Sequence, residues 1–282
     1  MGERTQNAEI AFFGGSFTAI NRDYMLQLLE VAAKYRMVFS GIRISTRPDY
    51  IDAEVLSTLK AYGVTSVELG AQSMSDEVLL LNERGHTADD VRKAAALIQE
   101  CGFSLGLQMM TGLYGSDVQK DLYTAHEILL LRPDTVRIYP TVVMKQTKLE
   151  QYLLCGKYQP YPLSQSVELC ADLIQLFERA AIRVIRVGLH YTESLAENGY
   201  CDNYHPAFRE LCESRIFCQS FEKQIKTVDS KRIDVTINSK SLSKFLGQRK
   251  SNWNKWQEEG YEIHLFFDDT LGKYELRTEV SV

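Results

Sequence analysis

A chain of 282 residues with 45% hydrophobic content is long enough to bury a sizeable core, as one large domain with a smaller one. Its formal charge of -5 at pH 7 argues against a protein that coats nucleic acid, while leaving room for a local basic face. No apolar run approaches membrane-spanning length, and residues 1–7 hold no signal-peptide core. The six cysteines (Cys101, Cys155, Cys170, Cys201, Cys212, Cys218) are scattered without a small-domain disulfide framework. The composition predicts a cytoplasmic α/β protein with reduced thiols and no membrane contact.

Ile10, Ala11, Phe12 and Phe13 form a short apolar run without polar alternation. That is the pattern of a strand buried on both faces, as in a parallel sheet. Gly14-Gly15-Ser16 ends it where side chains are absent, so the backbone can approach a ligand closely. A helix over 23–34 follows, with Asp23 as N-cap and Met25, Leu28, Leu29 and Ala32 as its inner stripe. The same unit then recurs. Further strands are predicted from 41 to the stop at Pro48, and over 64–70, 103–109, 135–140 and 183–188. Helices are expected after Asp52, up to about 81, and over 87–99, 117–131 and 164–181.

Strands alternating with helices at roughly 25–40 residue spacing predict parallel βαβ units, closed or nearly closed into a barrel. In such a barrel the chemistry sits at the C-terminal strand ends. Those ends hold Gly14-Gly15-Ser16, Ser45-Thr46-Arg47, Gln72-Ser73, Gln108 and Tyr139. A purely structural barrel has no need of so many polar groups and glycines there.

Six motifs, in order and at family spacing, carry a resemblance. They are Gly14-Gly15-Ser16-Phe17-Thr18, Ser45-Thr46-Arg47-Pro48-Asp49, Glu68-Leu69-Gly70-Ala71-Gln72-Ser73, Arg84-Gly85-His86-Thr87, Met109-Met110-Thr111-Gly112-Leu113 and Ile138-Tyr139-Pro140-Thr141. Over about residues 8–189 the chain resembles radical S-adenosylmethionine (SAM) enzymes, and among them the radical-SAM domain of the Elongator catalytic subunit. The resemblance implies a partial (β/α)6 barrel and a cytoplasmic enzyme that works on tRNA with an electron donor. It also implies SAM cleaved by a reduced 4Fe-4S cluster to a 5′-deoxyadenosyl radical. Carried over by position, Gly14 and Gly15 would hold the methionine amino group through main-chain oxygens. Ser16 stands where many relatives have Glu. Arg47 would meet the carboxylate, Gln72 the ribose hydroxyls, and Gln108 with Met109 would border the adenine.

The family hangs its cluster from a C-x-x-x-C-x-x-C loop after the first strand. No cysteines in this sequence have that spacing. The chain thus reads as lacking its first βα unit and the metal ligands with it, and has no room for an acetyltransferase domain. Two other readings stay open: a radical-SAM oxidase of the oxygen-independent coproporphyrinogen type, and a catalytically inactive RNA-binding scaffold. His190 and His205 have no second ligand at metal spacing and read as surface or capping histidines.

The expected divisions are a partial barrel over 1–190, a connecting helix and linker over 191–221, and a small α+β domain over 222–282. The last alternates as strand, helix, loop, helix and two strands, which resembles a KH-type RNA-binding module. Its loop would be Gly247-Gln248-Arg249-Lys250, clamping the sugar-phosphate backbone. Residues 231–255 hold seven Lys and Arg against one Asp, a local net of +6. Gly247, Arg249 and Lys250 are the candidate RNA contacts, with Trp253 or Trp256 as a base-stacking surface.

Overall fold

The computed structural model describes residues 8–226, 228 and 230–281. The reading of residues 1–7 lies outside the described residues. Packing divides the chain into two units, one of residues up to 160 with 176–187 and 197–200, the other of 161–175, 188–196 and 201 onward.

The first unit opens with β1 (Glu9–Phe12), α1 (Arg22–Ala33), β2 (Gly41–Thr46), α2 (Ala53–Ala61) and β3 (Val64–Gln72). It continues through α3 (Asp76–Leu81), α4 (Ala88–Glu100), β4 (Ser104–Thr111), α5 (Val118–Leu131) and β5 (Thr135–Pro140). A two-residue strand β6 (Val143–Met144) and α6 (Lys148–Leu154) follow, neither foreseen from periodicity. Next in the chain are α7 (Leu163–Arg179), which falls in the second unit up to Gln175, β7 (Arg183–Val187), α8 (Glu193–Asn198), which falls in the second unit up to residue 196, and β8 (Gly199–Tyr200), which pairs antiparallel with β6.

Six strands form one sheet in the order β1-β2-β3-β4-β5-β7, every neighbour parallel. Each new strand adds at the same edge, as in a barrel and unlike a doubly wound sheet, where the order reverses. The result is an open half-barrel, short of the closed or nearly closed barrel that the alternation predicts, because β1 and β7 do not pair; it agrees with the partial barrel that the resemblance implies.

Alternation across the pleat gives the sheet two different faces. Ile42, Ile44, Val67, Leu69, Leu105, Leu107, Val136 and Ile138 are fully buried on one side. Arg43, Ser45, Glu68, Gly70, Gln108 and Arg137 hold the intervening positions and so share the concave face. A register shift at β3 supplies one exception, described below. β1 departs from the sequence reading: it is the edge strand, only half-buried, because β2 alone flanks it in the sheet. Its first helix is capped by Asn21, whose side chain accepts from the Tyr24 amide at 3.1 Å; Asp23 lies in the first turn instead. Either carboxylate or amide suits a cap, and register alone decides between them. Asp52 and Asp117 do cap α2 and α5.

The second unit contains α9 (Phe208–Ile225), β9 (Arg232–Ile237), α10 (Leu242–Leu246), α11 (Ser251–Glu258), β10 (Glu262–Phe267) and β11 (Leu276–Val280). Its sheet runs β10-β9-β11, with β10 parallel and β11 antiparallel to β9. The core gathers Phe217, Phe221, Ile225, Ile233, Val235, Ile237, Phe245 and Trp256. Trp256 lies 4.3 Å from Phe221 and 4.9 Å from Phe245 between ring centroids. α9, whose first part falls in the expected linker, is one continuous helix that supplies three of these core residues, because its apolar stripe at 217, 221 and 225 repeats every fourth position. Trp256 is fully buried and Trp253 packs partly buried against the same core, so neither is an open base-stacking surface.

Candidate cofactor site at the strand ends

At the mouth of the half-barrel lies a cavity of about 280 Å³ lined by Gly15, Ser16, Ser45, Thr46, Arg47, Gly70, Gln72, Glu83, Arg84, His86 and Gln108. Five of the seven residues singled out for SAM line it: Gly15, Ser16, Arg47, Gln72 and Gln108. Gly14 sits one residue before, and Met109 is turned the other way, with its side chain fully buried. Parity explains the last case, since Gln108 and Met109 are consecutive on β4 and cannot share a face.

The glycine turn is built for backbone approach. Gly14 and Gly15 have φ of +100° and +66°, and a Cβ at either would meet nothing within 4 Å. The space beside them is open and their conformation is one that other residues adopt only with strain. The turn is pinned to the end of β2, where the Thr18 amide donates to Thr46 Oγ1 at 3.3 Å and the Thr18 hydroxyl donates to the Tyr50 carbonyl at 2.8 Å.

Gln72 reaches the cavity through a bulge. The β3–β4 register shifts between Leu69 and Gln72, and Gln72 itself is left-handed at φ 64°. Such irregularities re-aim side chains at strand ends. The bulge is held by the Ser73 amide, which donates to the Ala71 carbonyl at 2.8 Å, and by His86 Nε2, 3.1 Å from the same oxygen. Gln72 Oε1 is buried without a hydrogen-bond partner, a costly arrangement that a donating ligand would relieve.

Two guanidinium groups differ sharply here. Arg47 forms a fork on Asp49, at 2.9 and 2.6 Å, and lies over the Tyr50 ring at 5.5 Å. Arg84 is half-buried, and among the described residues no carboxylate pairs with it; its one polar contact is Met110 Sδ at 3.5 Å. Burial first, and the charge of Arg47 second, push the Arg84 guanidinium below its ordinary value. A desolvated cation with no counter-ion is unfavourable, and an anionic group in the cavity would restore the balance. Sequence reasoning quoted Arg84 within a motif and gave it no role. The signal was its place twelve positions after Gln72, which nothing local marks as facing the same space.

Beneath the mouth, the concave face carries a chain of charges. Glu68 is almost fully buried, 2.7 Å from Arg137 and 3.9 Å from Arg43, and Arg43 lies 2.7 Å from Glu9. Burial works against the charged form of Arg137, and Glu68 more than offsets it, leaving the guanidinium above its ordinary value. A Cβ at Gly106 would fall 3.0 Å from Thr135 Oγ1 and 3.1 Å from Glu68 Cγ, so the glycine relieves crowding with both side chains.

In the second unit, Gly247 has φ +79°, and a Cβ there would fall 2.9 Å from the Asn252 amide. Arg249 and Lys250 follow as two left-handed, exposed residues immediately before α11. Neither forms an ion pair among the described residues. Other members of the basic stretch are engaged: Lys244 with Glu213 at 2.8 Å, Arg232 with Glu262 at 2.9 Å, and Lys255 with Glu222. His205 accepts the Ala207 amide at 3.0 Å through Nδ1, a capping contact.

Sequence comparison decides the family. A model described as the radical SAM superfamily matches residues 2–125, and one for the radical SAM C-terminal domain matches 133–217. The chain belongs to the radical SAM superfamily. It is 30% identical over 239 residues to a tRNA uridine(34) acetyltransferase of Dehalococcoides mccartyi, covering 76% of this chain and 51% of that one. It is 31% identical over 238 residues to Elongator complex protein 3 of Homo sapiens, covering 77% and 43%. The solved archaeal Methanocaldococcus infernus Elp3 with an N-terminal deletion superposes with a TM-score of 0.66 at 26% identity, covering 78% of this chain and 55% of that one. The chain thus spans about half the length of the relatives it matches.

Radical SAM enzymes use SAM and a 4Fe-4S cluster, and the two fit these residues differently. The open glycine turn, the orphaned Gln72 oxygen and the unpaired Arg84 suit an amino-acid and ribose ligand. For the cluster, among the described residues no group of three or more His, Cys, Asp or Glu side chains is placed to hold a metal. No helix among them is long and apolar enough to cross a membrane.

Proposed function

We propose that the strand-end cavity binds SAM and that this cytoplasmic radical SAM protein acts on uridine in tRNA. The observation that carries the first part is the convergence of three unsatisfied features in one cavity: the Gly14-Gly15 turn, Gln72 Oε1 and Arg84. SAM brings the reactive chemistry; the chain binds and orients it. Main-chain oxygens at Gly14 and Gly15 take the ammonium group, with Ser16 alongside. Arg84 takes the carboxylate, because Arg47 is already satisfied by Asp49; Arg47 closes the rim beside it. Gln72 accepts from the ribose hydroxyls. Gln108 borders the adenine, and Met109 supports that strand from the opposite face.

The second part rests on relatives named tRNA uridine(34) acetyltransferase, which favour it over a coproporphyrinogen-type oxidation. Within this chain, its support is the Gly247–Lys250 loop, whose two unpaired cations precede a helix N-terminus. That loop is the KH-like feature of the second unit, with Lys250 in place of the second glycine. The test is equilibrium binding of bulk tRNA to the full chain and to Arg249→Ala/Lys250→Ala, at two salt concentrations. The double variant is expected to weaken binding across all tRNAs and to flatten the salt slope by about 0.7 per lost phosphate contact. Binding that is absent, or insensitive to salt, defeats the RNA reading.

A further inference from the structure

The four-charge chain on the concave face has no part in holding SAM. Barrel interiors are ordinarily packed with branched apolar side chains, and buried ion pairs seldom repay their desolvation. This one also sits beside Gly106, where a Cβ would crowd both Thr135 and Glu68.

Its visible effect is to set an acid beside Arg137, although Arg137 Nε and both Glu68 oxygens lack a hydrogen-bond partner among the described residues. Glu68 approaches the guanidinium from the Nε side at 2.7 Å, and the Phe13 ring lies against its carbon at 4.7 Å from the centroid. Phe13 is itself 56% exposed, directly before the glycine turn. Register then fixes where this pair lies. Arg137 is paired with Gln108, the β4 residue that lines the SAM cavity, so it occupies the same layer one strand further along the concave face. A group held there faces whatever lies next to SAM. On the reading above, that neighbour is the substrate.

The chemistry narrows the choice. With Glu68 beside it, Arg137 is a nearly neutralised fork of donors, better suited to a neutral acceptor than to a lone anion. Selecting uracil over cytosine requires a donor where uracil has a ring carbonyl and cytosine has an amino group. We propose that Arg137, positioned by Glu68 and Phe13, donates to that carbonyl and is the base-selecting residue of the site. The proposal rests on the uridine reading above and deepens it.

The test uses the full chain loaded with SAM and two single-stranded RNA pentamers, alike except for a central uridine or cytidine, followed by fluorescence anisotropy. The wild-type chain is expected to favour the uridine pentamer about tenfold. Arg137→Gln alone strands a buried Glu68 charge, so the decisive variant is Glu68→Gln/Arg137→Gln, with Arg137→Lys beside it. The double variant should equalise the two pentamers while its SAM affinity, read by calorimetry, stays within twofold of wild type. Arg137→Lys should keep a reduced preference. A merely structural role would weaken both pentamers alike and leave their ratio intact. A ratio that survives in the double variant, a wild-type chain without preference, or no pentamer binding alongside intact SAM binding overturns the assignment. Failure of the wild-type chain to bind SAM removes the cavity reading and this proposal with it, a different result from any of these.

Discussion

The strand-end cavity and the basic stretch of the second unit both hold cations, and three of those in the stretch are paired where Arg84 at the cavity is not. At the cavity Arg84 is half-buried and in no ion pair among the described residues, Gln72 Oε1 has no donor, and Gln72 and Glu83 hold left-handed backbone. In the second unit the cations at 232, 244 and 255 each meet a carboxylate, and the core behind them is closed with aromatic rings. The paired cations are scaffold; Arg84 at the cavity and the left-handed Arg249 and Lys250 in the stretch are left without an ion pair among the described residues. A count of charges along a sequence cannot separate the two, because it does not register who pairs with whom.

The sharpest way to probe the scaffold side is Phe221→Ala. It removes a fully buried ring that packs on Trp256 and should cost about 3–5 kcal/mol, measured by denaturant unfolding. A cost under 1 kcal/mol would show that this core is not the stabilising element described. Glu213 offers a pH test of the same unit. Burial raises its carboxyl, and contacts from Lys244, Tyr274 and Arg209 outweigh that, bringing it down to about 2. A depressed carboxylate adds stability above the unfolded value of about 4.3 and loses it as pH falls toward 2. Glu213→Gln should therefore flatten the fall in stability between about pH 4.5 and 2, whereas an unchanged acid limb would reassign that fall to other groups. On the ligand side the effect is smaller. Gln72→Ala should weaken SAM binding by about 1 kcal/mol, roughly fivefold, without lowering the melting temperature.

Much of the fold was legible because strands and helices announce themselves by local period. The six sheet strands and the Gly14-Gly15 turn were all readable, and the strand-end polar residues pointed to the mouth where the cavity lies. The short pieces β6, β8 and α6 were not, since two to seven residues hold too little periodicity to register. Within the site, the sequence favoured Arg47 over Arg84 because Arg47 ends a strand. Only three dimensions show Asp49 closing on Arg47 and leaving Arg84 alone. Glu9, Arg43, Glu68 and Arg137 lie on four different strands, and their meeting depends on sheet register, which the sequence does not display.

The account's central claim is that the strand-end cavity is a SAM site held by backbone, and titration calorimetry of SAM into the full chain tests it most directly. Wild type should bind. Gly15→Val places a β-branched residue at φ +66° and fills the space the ligand's amino group needs, so its affinity should fall about a hundredfold while the chain remains folded. Equal affinity in the two proteins would contradict the claim.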